Sequence, residues 1–406
     1  MSNRPFHFLH ASDFHLDQPL GGLVDVPEHL RDDFIDAPFK AAARIFDAAV
    51  RDRVDFLLLS GDILHPPTAS PRAYEFLLNY FQRLCEHKID IYWAHGPLEG
   101  SDPWPAQLGL PPNVHVFPLA KVQAFEVHRD DRVLATIVGK SNPRGERVNA
   151  EEFRGKQDGF FRIAVTYGEI DERSLADQRV DYWALGGKHN PRTLSSAPVA
   201  RYCGTPQGRR PSEPGPHGCL MVEVNSMEAR ATMMEMDWLQ YAREQIDIDE
   251  ATTRAELESL MRERSHLLLR TGTDDHILVS WRIVGDGPLS HDLRYGRLAE
   301  EIMGALRQEF GKGERAVWSV ELESLPRTIP AELYEEDTIL GDFLRAVHEF
   351  ETKDDSVLDV RQYLPDTDVA RSLAERIGIG RDQQRPEILQ RVATLGIDLL
   401  HGDPDD

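Results

Sequence analysis

FHFLHASDFH, residues 6–15, and DFLLLSGD, residues 55–62, decide the fold. Each is a short apolar run that ends on small residues and an aspartate. Phe6 to Ala11 reads as a strand ending in Ser12-Asp13, and Asp55 to Ser60 as a strand carrying the run FLLL. Consecutive apolar positions mean burial on both faces, as in a parallel sheet covered on both sides. Between the two strands, Pro38 to Arg51 puts Phe39, Ala42, Ala43, Phe46, Ala49 and Val50 on one helical face. Ser70-Pro71 is an N-cap followed by proline at the first helical position, opening a helix to about His87. Ile89 to Ala94 is a third strand. The βαβαβ order predicts a largely parallel sheet with right-handed crossovers.

Further strands are expected at Asn113 to Phe117, Gln123 to Val127, Val133 to Val138, Phe161 to Thr166 and Asp181 to Leu185. Cys219 to Val224 and Ala229 to Met236 read as a closing hairpin. Trp93, Tyr182 and Trp183 fall on strands and are read as core. From about Leu239 the texture changes: an amphipathic helix at Thr252 to Arg264, a strand at Ile277 to Val284, one long helix at Ser290 to Phe310 and a strand at Ala316 to Leu322. From Leu333 the chain is acidic and helical, and His401 to Asp406 is expected to fray.

The chain has 406 residues, enough for two or three domains. Its three cysteines, Cys85, Cys203 and Cys219, have no CxxC spacing, which argues for a reducing compartment and against a thiolate zinc site. The start lacks the basic and apolar regions of a signal peptide, and no apolar run reaches the ~20 residues of a membrane span. A soluble cytoplasmic protein is expected. The net charge is −23. DNA affinity comes largely from Lys and Arg neutralising phosphates, so this charge disfavours DNA unless a basic patch, a metal or a basic partner intervenes.

In an open α/β sheet functional groups gather beyond the carboxyl ends of strands. Those ends carry Asp13-Phe14-His15, Gly61-Asp62, Gly96-Pro97-Leu98-Glu99, Tyr167-Gly168 and Gly186-Gly187-Lys188-His189. Singly each is a turn. Together, Asp13, His15, Asp62 and His189 make a mixed oxygen and nitrogen set suited to manganese, iron or zinc.

In this order the motifs resemble those of the calcineurin-like metallophosphoesterases, in particular DNA repair exonucleases of the SbcD/YhaO type. HASDFHLDQPL, residues 10–20, and GTPQGR, residues 204–209, with Gly218-Cys219 beyond, carry the likeness, which covers about residues 6 to 236. The resemblance implies an α/β fold: a two-sheet αββα sandwich over 1–238, a small α+β capping-like domain over 239–330 and a helical, acidic segment over 331–406. It also implies a first metal on Asp13, His15, Asp62 and His189, with manganese expected and iron or zinc as alternatives. The family's second metal takes an Asn and two His where this chain has Pro97, Tyr167 and Gly187, and the family's acid His is Leu98 here. The expectation is therefore one divalent metal and impaired two-metal hydrolysis, with either a structural or regulatory subunit or a single-metal exonuclease as the outcome. A coiled-coil ATPase of the SbcC/YhaN type is the implied partner, and a homodimer is a further expectation.

Residues near the stations that could rebuild the second site are His65, His95, Glu99 and Glu169, with Tyr167 as a weak phenolate ligand. Lys188 is a candidate phosphate contact in the gap, and Arg209-Arg210 is the basic pair nearest the site in sequence. The alternative for each is a turn or a solvated loop.

Overall fold

The computed structural model describes residues 5–21, 26–100, 104–130, 132–155, 159–271, 276–313, 315–327, 329–352 and 384–400. The expected frayed tail, and part of the helical segment after Leu333, lie outside these residues. Strands β1 (Phe6–Ala11), β2 (Phe56–Leu59), β3 (Asp90–Trp93) and β4 (Val114–Val116) pair in parallel, with α1 (Glu28–Arg51) and α2 (Pro71–Glu86) as crossovers. The hairpin of β11 (Gly218–Asn225) and β12 (Glu228–Glu235) adds to β1, giving the order β12-β11-β1-β2-β3-β4. A second six-stranded sheet is built from β5 (Gln123–Arg129), β6 (Arg132–Gly139), β7 (Phe161–Tyr167), β8 (Tyr182–Gly186), β9 (Arg192–Ser196) and β10 (Val199–Tyr202). Its order is β5-β6-β7-β8-β10-β9. This is the expected two-sheet α/β sandwich.

The alternation of side chains along a strand assigns each residue a layer. In β1 to β3, Leu9, Ala11, Leu57, Leu59, Ile91 and Trp93 face the helices and meet Phe46, Leu77 and Phe81. The alternate residues Phe8, Phe56, Leu58 and Tyr92 face the second sheet and meet Ile137, Phe161, Ile163 and Tyr182. Burying one such Leu or Phe contributes about 1.5–3 kcal/mol. Tyr182 sets its ring edge-on to Phe8, with centroids 5.4 Å apart. The outer face of the second sheet is covered by short 3₁₀ turns, through Ala150, Phe153 and Leu175, which pack on Val138, Trp183 and Leu185.

One polar strut crosses the sandwich. His10, fully buried at the end of β1, meets Ser60 Oγ at 2.9 Å through Nε2 and the Tyr182 hydroxyl at 3.1 Å through Nδ1. Burial pushes this imidazole down to about 3, so it is neutral and can donate on one side and accept on the other. The strut sits directly beneath the loops that carry Asp13 and Asp62.

Two expectations are corrected. The first helix begins at Glu28, and Pro38 lies inside it. Leu30, Phe34 and Ala37 bury against Leu239, Tyr241, Leu278 and Ala316, and that packing outweighs the one backbone bond a proline removes. The stretch Ser290 to Phe310 is two helices, α4 (Pro288–Tyr295) and α5 (Leu298–Phe310), because Gly296 is extended. Strands β9 and β10 are additions to the strands expected from the sequence. Farther on are β13 (Leu239–Asp247), α3 (Arg254–Thr271), β14 (His276–Val284) and β15 (Val317–Leu325), and the three strands form a sheet in the order β13-β14-β15.

The chain divides into two compact units: Met1–Arg243 with Arg264–Ser280 and Leu306–Val320, and Glu244–Glu263 with Trp281–Ala305 and Glu321–Asp406. In the second, helices Ile339–Thr352 and Gln384–Leu400 share a core of Leu340, Leu344, Val347, Leu389 and Ala393.

Replacing Tyr182 by Phe removes the strut's hydroxyl and strands one nitrogen of His10. Urea unfolding should then show a loss of about 1–2 kcal/mol. An unchanged midpoint would mean that the strut does not stabilise the sandwich.

Candidate metal centre

The loop after β1 turns sharply. Asp13 and His15 have φ of 54° and 49°, and Asp62, after β2, has 54°. These left-handed conformations are uncommon for residues with a side chain and are held by the surrounding structure. Backbone bonds from Asp13 N to the Gly61 carbonyl (2.8 Å) and from His15 N to the Asp62 carbonyl (3.0 Å) lock the two turns together. The loop after β8 brings His189 in from the second sheet, and Gly187 N–H donates to Asp13 Oδ2 at 3.0 Å.

Three donor atoms converge. His15 Nε2 lies 3.1 Å from His189 Nε2 and 4.0 Å from Asp13 Oδ1. One ligand atom from each of Asp13, His15 and His189 lies within 4.8 Å of the others. Ligands ~2.0–2.2 Å from a shared cation stand at about this spacing. The fit shows in the partners as well. Asp13 Oδ1 is buried with no hydrogen-bond partner, while Oδ2 takes Gly187 N–H and Ser12 Oγ. Both histidines have Nδ1 engaged: His15 with Gln18 Oε1 at 3.1 Å and His189 with Glu213 Oε1 at 2.8 Å. Each ring therefore aims Nε2 into the cluster.

The electrostatics agree. Burial, and then the Arg209 and His189 charges, hold His15 well below the usual imidazole range, which leaves it neutral. Burial and the Asp62 charge push Asp13 up to about 7, against the pull of His189, Gly187 N–H and Ser12. A divalent cation at the bare buried oxygen would favour the ionised form of this carboxylate. Burial would raise Glu213, but the His189 bond and charge and then Arg210 bring it down to about 2. Glu213 is an ionised carboxylate behind a ligand histidine, a common support for a bound metal.

Asp62 is the other strand-end acid, and both its oxygens are taken. Leu98 N–H donates to Oδ1 at 2.9 Å and the Tyr167 hydroxyl to Oδ2 at 2.7 Å. Among the described residues the three-donor cluster is Asp13, His15 and His189, with Asp62 beside it. Tyr167 is no phenolate: burial, and then the Asp13 and Asp62 charges, push its pKa far above the ordinary range, so it donates. Its ring fills the space in front of three glycines. A Cβ on Gly61 would sit 2.6 Å from Tyr167 Cδ2, one on Gly96 2.8 Å from the same atom, and one on Gly187 3.0 Å from Cζ.

The other candidates have local tasks. Glu99 accepts backbone N–H groups of Asp62 (3.0 Å), Ile63 (2.6 Å) and Gly96 (2.8 Å), and so clamps the loops. Burial and the Asp62 charge push it up to about 8, opposed by those N–H donors. Lys188 is tied to Glu169 at 2.5 Å rather than standing over a gap. His65 bonds Thr68 Oγ1 at 2.7 Å, and buried His95 sets its ring edge-on to Trp93. Arg209 is buried, its guanidinium on the carbonyls of His15, Gln18 and Pro19. Arg210 bonds Glu213 at 2.7 Å. The expected basic pair is thus spent on holding the site together. Gln18, Glu213 and the clamp of Arg209 had no signal in the sequence, because their partners are set by loop geometry and not by spacing.

Residues 6–191 match the family model of calcineurin-like phosphoesterases. The chain is also similar to the protein named uncharacterized metallophosphoesterase YhaO of Bacillus subtilis (strain 168), with 28% identity over 334 residues, 78% of this chain and 81% of that relative. No helix among the described residues is long and apolar enough to cross a membrane.

Glu213→Gln keeps the shape but loses the charge that orients His189. Affinity for manganese, measured by competition with a chelating dye, should fall ~10–100-fold. An unchanged affinity would remove Glu213 from the site.

Proposed function

We propose that this chain is a metallophosphoesterase of the SbcD/YhaO type that holds a single divalent cation, manganese by preference, on Asp13, His15 and His189 with Asp62 adjoining. Its two-metal phosphodiester hydrolysis is impaired. The observation that carries this reading is Tyr167. Its ring lies against Gly61, Gly96 and Gly187, and its hydroxyl donates to Asp62 Oδ2. Pro97, Tyr167 and Gly187 offer no second set of ligands, and the Leu98 side chain has no proton to deliver to a leaving group.

A bound divalent cation supplies Lewis-acid polarisation of a phosphoryl oxygen and a lowered pKa for its water. The chain's own residues supply the rest. Gln18 and Glu213 fix the ring orientations, Ser12 and Gly187 hold one oxygen of Asp13, and Glu99 and Arg209 keep the loops closed. In this reading the protein serves as a structural or regulatory subunit beside a coiled-coil ATPase of the SbcC/YhaN type in DNA repair. The net charge of −23 favours a partner that brings the basic surface. The intact three-donor cluster supports a second reading, a slow exonuclease working with one ion.

Elemental analysis after exchange into manganese should give one ion per chain, and none for Asp13→Asn; two tightly bound ions in the natural protein would refute the single-site reading. Hydrolysis of bis-p-nitrophenyl phosphate or linear DNA that Asp13→Asn abolishes would select the second reading. Gly187→His alone forces a side chain against Tyr167 at φ 101° and should cost about 2 kcal/mol or more in urea unfolding. Adding Tyr167→His should recover part of that loss, and no recovery would mean the ring is not the obstacle.

A further inference from the structure

Asp13 is bare at Oδ1 and held at Oδ2 from both sheets. Gly187 N–H, after β8, donates to Oδ2 at 3.0 Å, and the Ser12 hydroxyl, at the end of β1, donates to the same oxygen. With two donors on Oδ2 the carboxylate cannot turn without breaking a bond. Oδ1 therefore stays on the side of His15 Nε2, 4.0 Å away. The aim of Asp13 depends on Ser12, and the orientation of Ser12 depends on what its oxygen accepts.

That partner is Cys203, which follows β10 in the second sheet. It is fully buried in the core between the sheets, in the cluster that holds Phe8 and Tyr182. Its Sγ lies 3.1 Å from Ser12 Oγ, and the Gly204 carbonyl lies farther off at 3.5 Å. Proton counting sets the direction. An ionised carboxylate only accepts, so the one proton of Ser12 is spent on Asp13. Oγ is then an acceptor toward sulfur, and the thiol is the donor. Burial pushes this thiol well up, so its proton stays in place. The chain S–H to O–H to carboxylate crosses from one sheet to the other, and a hydroxyl that accepts one hydrogen bond donates the next more strongly.

We propose that Cys203 is a positioning residue of the metal centre: by donating to Ser12 it fixes the hydroxyl on Asp13 Oδ2 and leaves Oδ1 as the one Asp13 oxygen for the ion. The proposal rests on the metal-centre reading. Direct outer partners of metal ligands are worth ~10–100-fold in affinity, and a thiol one bond farther out is a weak donor, so an effect of ~3–10-fold is expected. The test is manganese affinity of the full chain, by competition with a chelating dye. It compares the natural protein with Cys203→Ala, Cys203→Ser, Ser12→Ala and the Ser12→Ala/Cys203→Ala double variant. Cys203→Ala should bind ~3–10-fold more weakly, and Cys203→Ser, which keeps a donor, should recover most of the loss. If Cys203→Ala does not fold, Cys203→Val fills the space without a donor and takes its place in single and double variants. Because Cys203 acts through Ser12, the double variant should bind no more weakly than Ser12→Ala. Affinity indifferent to Cys203→Ala, a serine variant as weak as the alanine one, or two single losses that add in the double variant would each overturn the proposal while leaving the metal centre standing. Failure of the natural protein to bind manganese would instead overturn the metal-centre reading and this proposal with it.

Discussion

Two imidazole nitrogens and one bare carboxylate oxygen, drawn from loops on different sheets, have to meet at one point. Asp13 and His15 belong to the first sheet and His189 to the second. The sandwich must therefore hold its sheets in register at the end where the loops emerge. The core rings of Phe8, Phe56 and Tyr182 set the spacing, and the His10 strut pins it at the rim. Non-directional burial brings layers together; a buried hydrogen bond fixes one arrangement among those that burial allows.

The loops follow a second rule: each functional side chain is held by a group that does no chemistry. Glu99 gathers three backbone N–H groups, and Arg209 gathers three carbonyls. Both are buried polar groups with several partners, the condition under which such burial is tolerated. Glu99 also shows why its station keeps an acid when Pro97 and Leu98 offer no ligand, since the carboxylate is structural.

Much of the sandwich was legible. The run FLLL and the helical face of Phe39, Ala42 and Phe46 follow from periodicity, which is a local property. The extra turns of α1 were not, because the burial of Leu30 and Phe34 depends on Leu239 and Leu278, far along the chain. Strand β9 is exposed along RTLSS and gives no apolar pattern to read. At the site, the rule that functional groups follow strand ends points to Asp13, His15 and His189, which do converge. It says nothing of Glu213, which sits in a loop rich in Pro and Gly and reaches His189 through loop geometry. It also leaves the use of Lys188 and the Arg209-Arg210 pair open, since a charge near a site in sequence is free only if no acid or carbonyl claims it.

The cluster joins residues far apart in the chain and on two separate layers. A cation held there would act as a reversible cross-link, much as a disulfide joins distant segments. Because the left-handed turns at Asp13, His15 and Asp62 exist only in the folded chain, ion and fold form one linked equilibrium, in which free ion at ~100 times its dissociation constant adds about 2.7 kcal/mol. Whatever chemistry it supports, such a centre would act as a sensor whose occupancy sets how firmly the two layers are joined.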